Sequence, residues 1–204
     1  MDTKVIKADD PKSVEAAASV IMSGGLVAFP TDTVYGLGAS AFDGEAIERI
    51  YQAKRRDENK PIPILLADGY ALDQVAEVPD EAARKLAEIF WPGPLTLILP
   101  KAQGLPAQVS SKATVGVRVP NHEFALKLLT RVGPMAVSSA NRSGASTART
   151  AREVLAQLSG QIELVVDGGI SPGGRASTVA TFEERGLVIL REGPLKKAEL
   201  LRAL

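Results

Sequence analysis

The chain of 204 residues contains no cysteine and a single histidine, His122. Disulfide frameworks, thiol nucleophiles and zinc sites built from Cys and His are thereby excluded. Aromatic residues are scarce at 4%, and there is one tryptophan. No apolar run exceeds about six residues, far short of the roughly 20 that a membrane-spanning helix needs. Net charge is missing too: 24 Lys and Arg balance 24 Asp and Glu, so no global field gathers nucleic acid or a membrane surface. The N-terminus carries Asp2, Lys4, Lys7, Asp9 and Asp10 in place of an apolar leader, so a cytoplasmic location is expected.

What remains is an ordinary globular composition, 45% apolar and 24% charged, at a length that suits one domain over residues 1–204. Charge is local. Lys54-Arg55-Arg56 and Lys60 form one cationic cluster; Arg142, Arg149 and Arg152 form another, with no acid between residues 142 and 152. Two small patches on a neutral chain suit a compact polyanion such as a nucleotide better than a long duplex.

Helix and strand signals alternate, without repeats or low-complexity tracts. Asp10-Pro11 predicts an N-cap and a proline at the first helical position, with Val14, Ala17, Ala18 and Ile21 on one face and a stop at Gly24-Gly25. Asp43 predicts the cap of a second helix bearing Ile47, Ile50, Tyr51 and Lys54 at helical spacing. Asp80 starts a third, halted by Trp91-Pro92-Gly93-Pro94, and Asn121 caps a fourth, halted by Gly133-Pro134. Thr150-Ala151-Arg152-Glu153 is a capping box. Strands are expected at 26–29, 62–67, 95–99, 115–119, 135–138 and 163–166. A hairpin of 177–182 and 187–191 turns at Glu183-Glu184-Arg185-Gly186, and a short helix 195–204 follows. The alternation predicts an α/β sheet, and the hairpin makes it mixed.

Ligands of open α/β sheets sit beyond strand ends, and the polar surprises fall there. They are Thr31-Asp32-Thr33 and Tyr35, Arg118 inside VGVRV, Ser138-Ser139-Ala140-Asn141, Asp167-Gly168-Gly169, Ser177-Thr178 and Arg191. Arg118 reads either as an edge-strand residue facing solvent or as a guanidinium placed for a carboxylate or phosphate. The segment 141–147 is either a plain polar loop or a backbone cradle for phosphate. Lys54-Arg55-Arg56 would complement a helix C-terminus, yet Lys54 shares a face with Ile47 and Tyr51 and so points a cation inward. Gly36-x-Gly38-x-x-Ala41 fits a loose dinucleotide fingerprint poorly, because the next helix begins near Asp43. No Gly-Lys-Ser/Thr occurs. Ser138 or Ser139 as a nucleophile would need a base, and His122 reads as a solvated residue in a helix's first turn.

In order along the chain, FPTDTVYGLG, KRRDENKP, WPGPLTLIL, VGVRVPNH, SSANRSG, DGG and STV resemble the YrdC-like domain of threonylcarbamoyl-adenylate synthases, over residues 12 to 192. The resemblance implies an α/β fold, a YrdC-like twisted mixed β-sheet flanked by helices, with a concave cation-lined cleft. It implies a nucleotidyltransferase that makes threonylcarbamoyl-AMP and pyrophosphate from L-threonine, bicarbonate and ATP with Mg²⁺. A separate tRNA-modifying transferase complex would then use the product for threonylcarbamoyladenosine. By the same resemblance Thr33, Arg118 and Ser177 bind threonine, while Arg56, Lys60, Thr114, Ser139, Thr147 and Arg191 contact the nucleotide. Lys54 and Arg56 are the catalytic cations, and no protein-held metal is expected. The sequence departs from the family at Asp57, where proline is common, and longer members carry a C-terminal domain that this chain is expected to lack. The alternative is a non-catalytic protein whose basic concave surface binds RNA weakly.

Overall fold

The computed structural model describes residues 2–77, 81–184 and 186–204. Among these lie strands β1 (Lys4–Lys7), β2 (Val27–Phe29), β3 (Gly36–Ser40), β4 (Ile64–Leu65) and β5 (Leu95–Pro100). They continue with β6 (Thr114–Arg118), β7 (Met135–Ser139), β8 (Leu164–Asp167), β9 (Thr178–Glu183) and β10 (Gly186–Arg191). The helices are α1 (Ser13–Met22), α2 (Gly44–Lys54), α3 (Glu81–Phe90), α4 (Glu123–Val132), α5 (Ala151–Leu158) and α6 (Lys197–Arg202). The strands form one mixed ten-stranded sheet, ordered β1-β8-β2-β3-β7-β4-β6-β5-β9-β10. The α/β expectation and the terminal antiparallel hairpin are both borne out.

Strand alternation divides the core between the two faces. Val27, Phe29, Met135, Val137, Leu164 and Val166 pack with Ala17, Ala18 and Ile21 of α1 and Phe124 and Leu128 of α4. The intervening Ala28, Ala136 and Val165 point the other way, toward Ile47 and Ile50 of α2, Leu86 of α3 and Val154 of α5. In register, Leu65 pairs with Arg118 while Ile64 pairs with Val117. Leu65 belongs to the α1–α4 side, so Arg118 does as well. Beyond β4 that side carries Thr114, Gly116, Thr96, Ile98 and Val179, which line a cavity. The face toward α2, α3 and α5 is therefore covered except at the edge, where Val5 of β1 is exposed, and the other face is covered over half its width and open over the rest.

Several local expectations change. Gly36 and Gly38 lie within β3, paired to β2 and β7. A Cβ at Gly36 would stand 2.7 Å from Val137 Cγ1, and one at Gly38 would stand 2.9 Å from Met135 Cε, so these glycines admit core side chains across a sheet. The helix after Asp10 starts later, with Lys12 at its N-cap; Asp10 instead accepts from the Lys12 amide at 2.8 Å, an Asx turn ahead of the helix. His122, not Asn121, occupies the N-cap of α4. Of 62–67 only Ile64–Leu65 pairs as strand; Ile62 N donates to Val109 O in a loop contact. Strand β1 and the 3₁₀ turn Gly69–Gln74 have no counterpart in the sequence reading. The Asp43 cap and the Thr150–Glu153 capping box form as expected. Asp80 and Arg185 lie outside the described residues. Among the described residues no helix is long and apolar enough to cross a membrane.

Candidate active site

The chain leaves β2 at Pro30 and returns at Gly36, and the intervening loop is buried and internally bonded. Thr31 Oγ1 donates to the Val34 carbonyl at 2.6 Å and accepts from the Thr33 amide at 3.2 Å. Its contact with Thr33 Oγ1 at 3.0 Å must then be one in which Thr33 donates. That leaves the Thr33 oxygen as an acceptor. Tyr35, fully buried, donates its hydroxyl to the Gly169 carbonyl at 2.8 Å and accepts from Gly168 N at 3.1 Å. Burial holds this phenol above its ordinary pKa, so it keeps the proton it donates. Gly173 and Gly174 amides reach the Asp32 and Thr33 carbonyls at 3.1 and 2.8 Å. A side chain at Gly173 would collide with that backbone. The tyrosine and the glycines thus fasten the 168–176 loop behind Thr33.

Arg118 crosses to this loop from the end of β6. Its Nη2 donates to Asp32 Oδ1 at 2.5 Å, Nη1 to Thr33 Oγ1 at 3.0 Å, and Nε to the Gly93 carbonyl at 2.9 Å. Three of five N–H groups are engaged and two remain. The solvent-edge reading of Arg118 is incorrect, since the residue is only 5% exposed. Strand β6 is covered on both sides by β4 and β5, so it is not an edge at all.

The second cluster divides by burial. Helix α2 ends at Lys54, and Arg55 adopts a left-handed conformation, φ 50°, which turns the chain sharply. Arg55 points to solvent. Lys54 is buried, and its ammonium donates to the carbonyls of Ser139 and, at 2.5 Å, Asn141. It is absent from the cavity lining and lies beneath the loop after Ser139. Burial, with Arg56 adding to it, pulls Lys54 down to about 7. Arg56 does line the cavity, held by the carbonyls of Lys60 at 3.1 Å and Pro61 at 3.0 Å. The Lys60 side chain is exposed and outside the lining, as is Thr147. Asn141 Nδ2 donates to the Arg142 and Ala145 carbonyls at 2.8 and 2.9 Å, which fixes the loop after Ser139.

These pieces enclose a cavity of about 390 Å³. Of the residues expected from the sequence, Thr33, Arg56, Thr114, Arg118, Ser139, Ser177 and Arg191 line it. Ser177 Oγ lies 2.8 Å from Thr96 Oγ1 and accepts from Arg191 Nη2 at 3.1 Å. Burial pulls Arg56, Arg118 and Arg191 below the ordinary guanidinium range, and Arg191 further feels Arg56. Cations gathered at such a cost fit an anionic ligand. Sequence reasoning missed Thr96 and Lys112 in the lining. Thr96 had a signal, being a hydroxyl at an alternate position from buried Leu95 and Leu97. Lys112 had none. His122 is half-buried, with Nδ1 lacking a partner, and burial lowers its pKa; the solvated-surface reading was wrong.

A mixed sheet whose open half carries a cavity lined by three arginines, hydroxyls and apolar side chains defines an α/β protein with a candidate ligand site. More specifically, the chain belongs to the Sua5/YciO/YrdC family, whose model, described as telomere recombination, matches residues 19–193. It is 44% identical over 189 residues to the threonylcarbamoyl-AMP synthase of Pyrococcus abyssi, covering 92% of this chain and 56% of that protein. The Bacillus subtilis threonylcarbamoyl-AMP synthase is 39% identical over 201 residues, covering 97% of this chain and 58% of that protein. The chain therefore spans somewhat more than half the length of these relatives. The structure of P. abyssi Sua5 complexed with L-threonine superposes with a TM-score of 0.95 at 41% identity, covering 99% of this chain and 61% of that one.

Proposed function

We propose that this chain is an L-threonylcarbamoyladenylate synthase, a nucleotidyltransferase acting on L-threonine, bicarbonate and ATP. One observation carries the reading: Arg118 and Thr33 form a bonded pair in the wall of a cavity that Arg56 and Arg191 also line. A fold shared with a relative solved with L-threonine supports it.

In this reading the two free N–H groups of Arg118 take the threonine carboxylate, and the Thr33 oxygen accepts from the amino group. That amine, once deprotonated, attacks the carbon of bicarbonate or its dehydrated form, carbon dioxide; with bicarbonate water leaves, and with carbon dioxide the nitrogen gives up a proton to solvent as the carbamate forms. A carbamate oxygen then attacks the α-phosphorus of ATP as the bond to pyrophosphate breaks. The protein supplies positioning and charge neutralisation, chiefly from Arg56, Arg191 and Lys112, with Thr114 and Ser139 contacting the nucleotide. Lys54 acts through Ser139 and Asn141, as a positioning residue. Lys60 and Thr147 would reach the nucleotide only from the cavity's exposed margin.

Mg²⁺ would come with the nucleotide. The lining offers guanidinium, ammonium and hydroxyl groups and no carboxylate, a donor set that does not fit a metal held by the protein itself. A transferase complex that consumes the adenylate for tRNA modification fits a cavity too small for an anticodon stem, and a cytoplasmic location goes with that role. The RNA-binding alternative is less well supported, because the cations converge inward and do not form a stripe.

The test is pyrophosphate release by the purified protein, with threonine and bicarbonate omitted in turn. Release that requires both is expected. No release under any condition, with RNA retained on a filter, would favour the alternative.

A further inference from the structure

Ser177 lines the cavity, bonded to both Thr96 and Arg191. Its hydroxyl accepts from Arg191 Nη2 and its carbonyl accepts from Arg191 Nε, both at 3.1 Å. Strand pairing alone does not hold Arg191 there. It ends the edge strand β10, and the β9–β10 register shifts between Ile189 and Arg191. The segment immediately after it does the holding. Thr178, fully buried, accepts from Gly193 N at 3.1 Å and Leu195 N at 3.0 Å, and donates to the Leu195 carbonyl at 2.8 Å. Gly193 packs so tightly that a Cβ there would fall on the backbone of Ser177 and Thr178. One buried hydroxyl thus clamps the chain leaving β10 against the chain entering β9.

Thr96 acts on the same serine from the other side. It is buried on β5, its Oγ1 lies 2.8 Å from Ser177 Oγ, and it lines the cavity. A hydroxyl donates one hydrogen and accepts up to two. Arg191 can only donate, so the Ser177 hydrogen goes either to Thr96 or to a ligand. When a ligand oxygen takes it, Thr96 turns its own hydrogen toward Ser177. Ser177 then accepts from Thr96 and Arg191 and donates to the ligand, with every hydrogen-bonding position filled.

We propose that Thr178 and Thr96 are positioning residues of this cavity. Thr178 fixes Arg191 against Ser177, and Thr96 sets the direction of the Ser177 hydroxyl, so that one serine ties the amino-acid end to the nucleotide end. The ligand names rest on the function proposed above; the clamp itself does not.

Two measurements separate these parts. The Arg191 Nε–H resonance, assigned by its loss in R191K, reports the clamp without any ligand. Its hydrogen exchange should quicken at least about tenfold in T178V and recover in T178S. Calorimetry with L-threonine and with ATP reports the serine. T96V should weaken threonine about tenfold, the scale of one hydrogen bond, while ATP stays within about twofold and T96S recovers. Unchanged protection of Arg191 in T178V would overturn the clamp. Unchanged threonine affinity in T96V, or equal loss of both ligands, would overturn the role of Thr96. If T178V does not fold, an S177A/R191K double-mutant cycle on ATP affinity replaces it: coupling is expected, and additivity overturns the link. Wild-type protein that binds neither ligand would defeat the proposed function, and the resonance would still decide the clamp.

Discussion

Arg118 Nη1 donates to Thr33 Oγ1 at 3.0 Å, joining residues 85 positions apart in the cavity wall. The pair is buried, and Asp32 on the same guanidinium is the counter-ion. Replacing Arg118 with alanine removes the two free N–H groups and leaves Asp32 without its partner. Truncating one member of such a pair costs about 2–5 kcal/mol, roughly 30-fold or more in affinity. Threonine binding by calorimetry should fall by that much, with ATP binding affected far less. Equal losses for the two ligands would argue against a separate amino-acid end.

Lys54 and Arg55 are adjacent and should behave as opposites. K54M leaves the buried Asn141 carbonyl without its donor, while the Ser139 carbonyl keeps the Asn141 amide at 2.9 Å. One unsatisfied buried carbonyl costs about 1–3 kcal/mol, so a loss on that scale in unfolding free energy is expected. Arg55 is exposed and sits at φ 50°, where glycine is preferred. R55G should therefore hold or raise stability by up to about 1 kcal/mol, with adenylate formation unchanged. Urea titration of both variants decides this, and similar destabilisation of the two would contradict it.

The pH dependence of stability carries a signature of Lys54. Its folded pKa of about 7 lies below its ordinary 10.5. Between those values the unfolded chain binds the extra proton, so this group's penalty is full below pH 7 and fades as pH rises toward 10.5. Wild type should gain stability relative to K54M across that window. A flat difference between the two curves would mean that the carbonyl acceptors keep Lys54 protonated throughout.

Gly36 tests the assignment of β3. G36A should destabilise by about 1–3 kcal/mol, because its Cβ meets Val137 Cγ1 at 2.7 Å. Shortening the opposing side chain in G36A/V137A should recover part of that loss relative to V137A alone. A neutral G36A would mean that the strands sit further apart than described.

Much of this protein was legible along the chain, since helical and strand periodicities, capping boxes and prolines are local signals. Ala17, Ala18 and Ile21 mark a buried helix face by spacing alone, and Asp43 and Thr150 cap the helices they precede. The order of short motifs identified the family, and five site residues those motifs carry, Thr33, Arg56, Arg118, Ser139 and Ser177, meet in one cavity. What the tertiary structure decided is which atoms face which. Gly36 and Gly38 invited a comparison with a dinucleotide fingerprint because only the glycine pattern is visible in sequence, whereas the facing Val137 and Met135 that make glycine necessary lie about a hundred residues away. Lys54 and Arg56 looked alike as cations at a helix end. The left-handed turn at Arg55 sends one under the sheet's loops and the other into the cavity. For Arg118 the sequence left an edge residue and a ligand-binding guanidinium both open, and β4 and β5 on either side of its strand removed the first. Periodicity is set by neighbours in sequence, but register and charge partners are set by strands that meet only on folding.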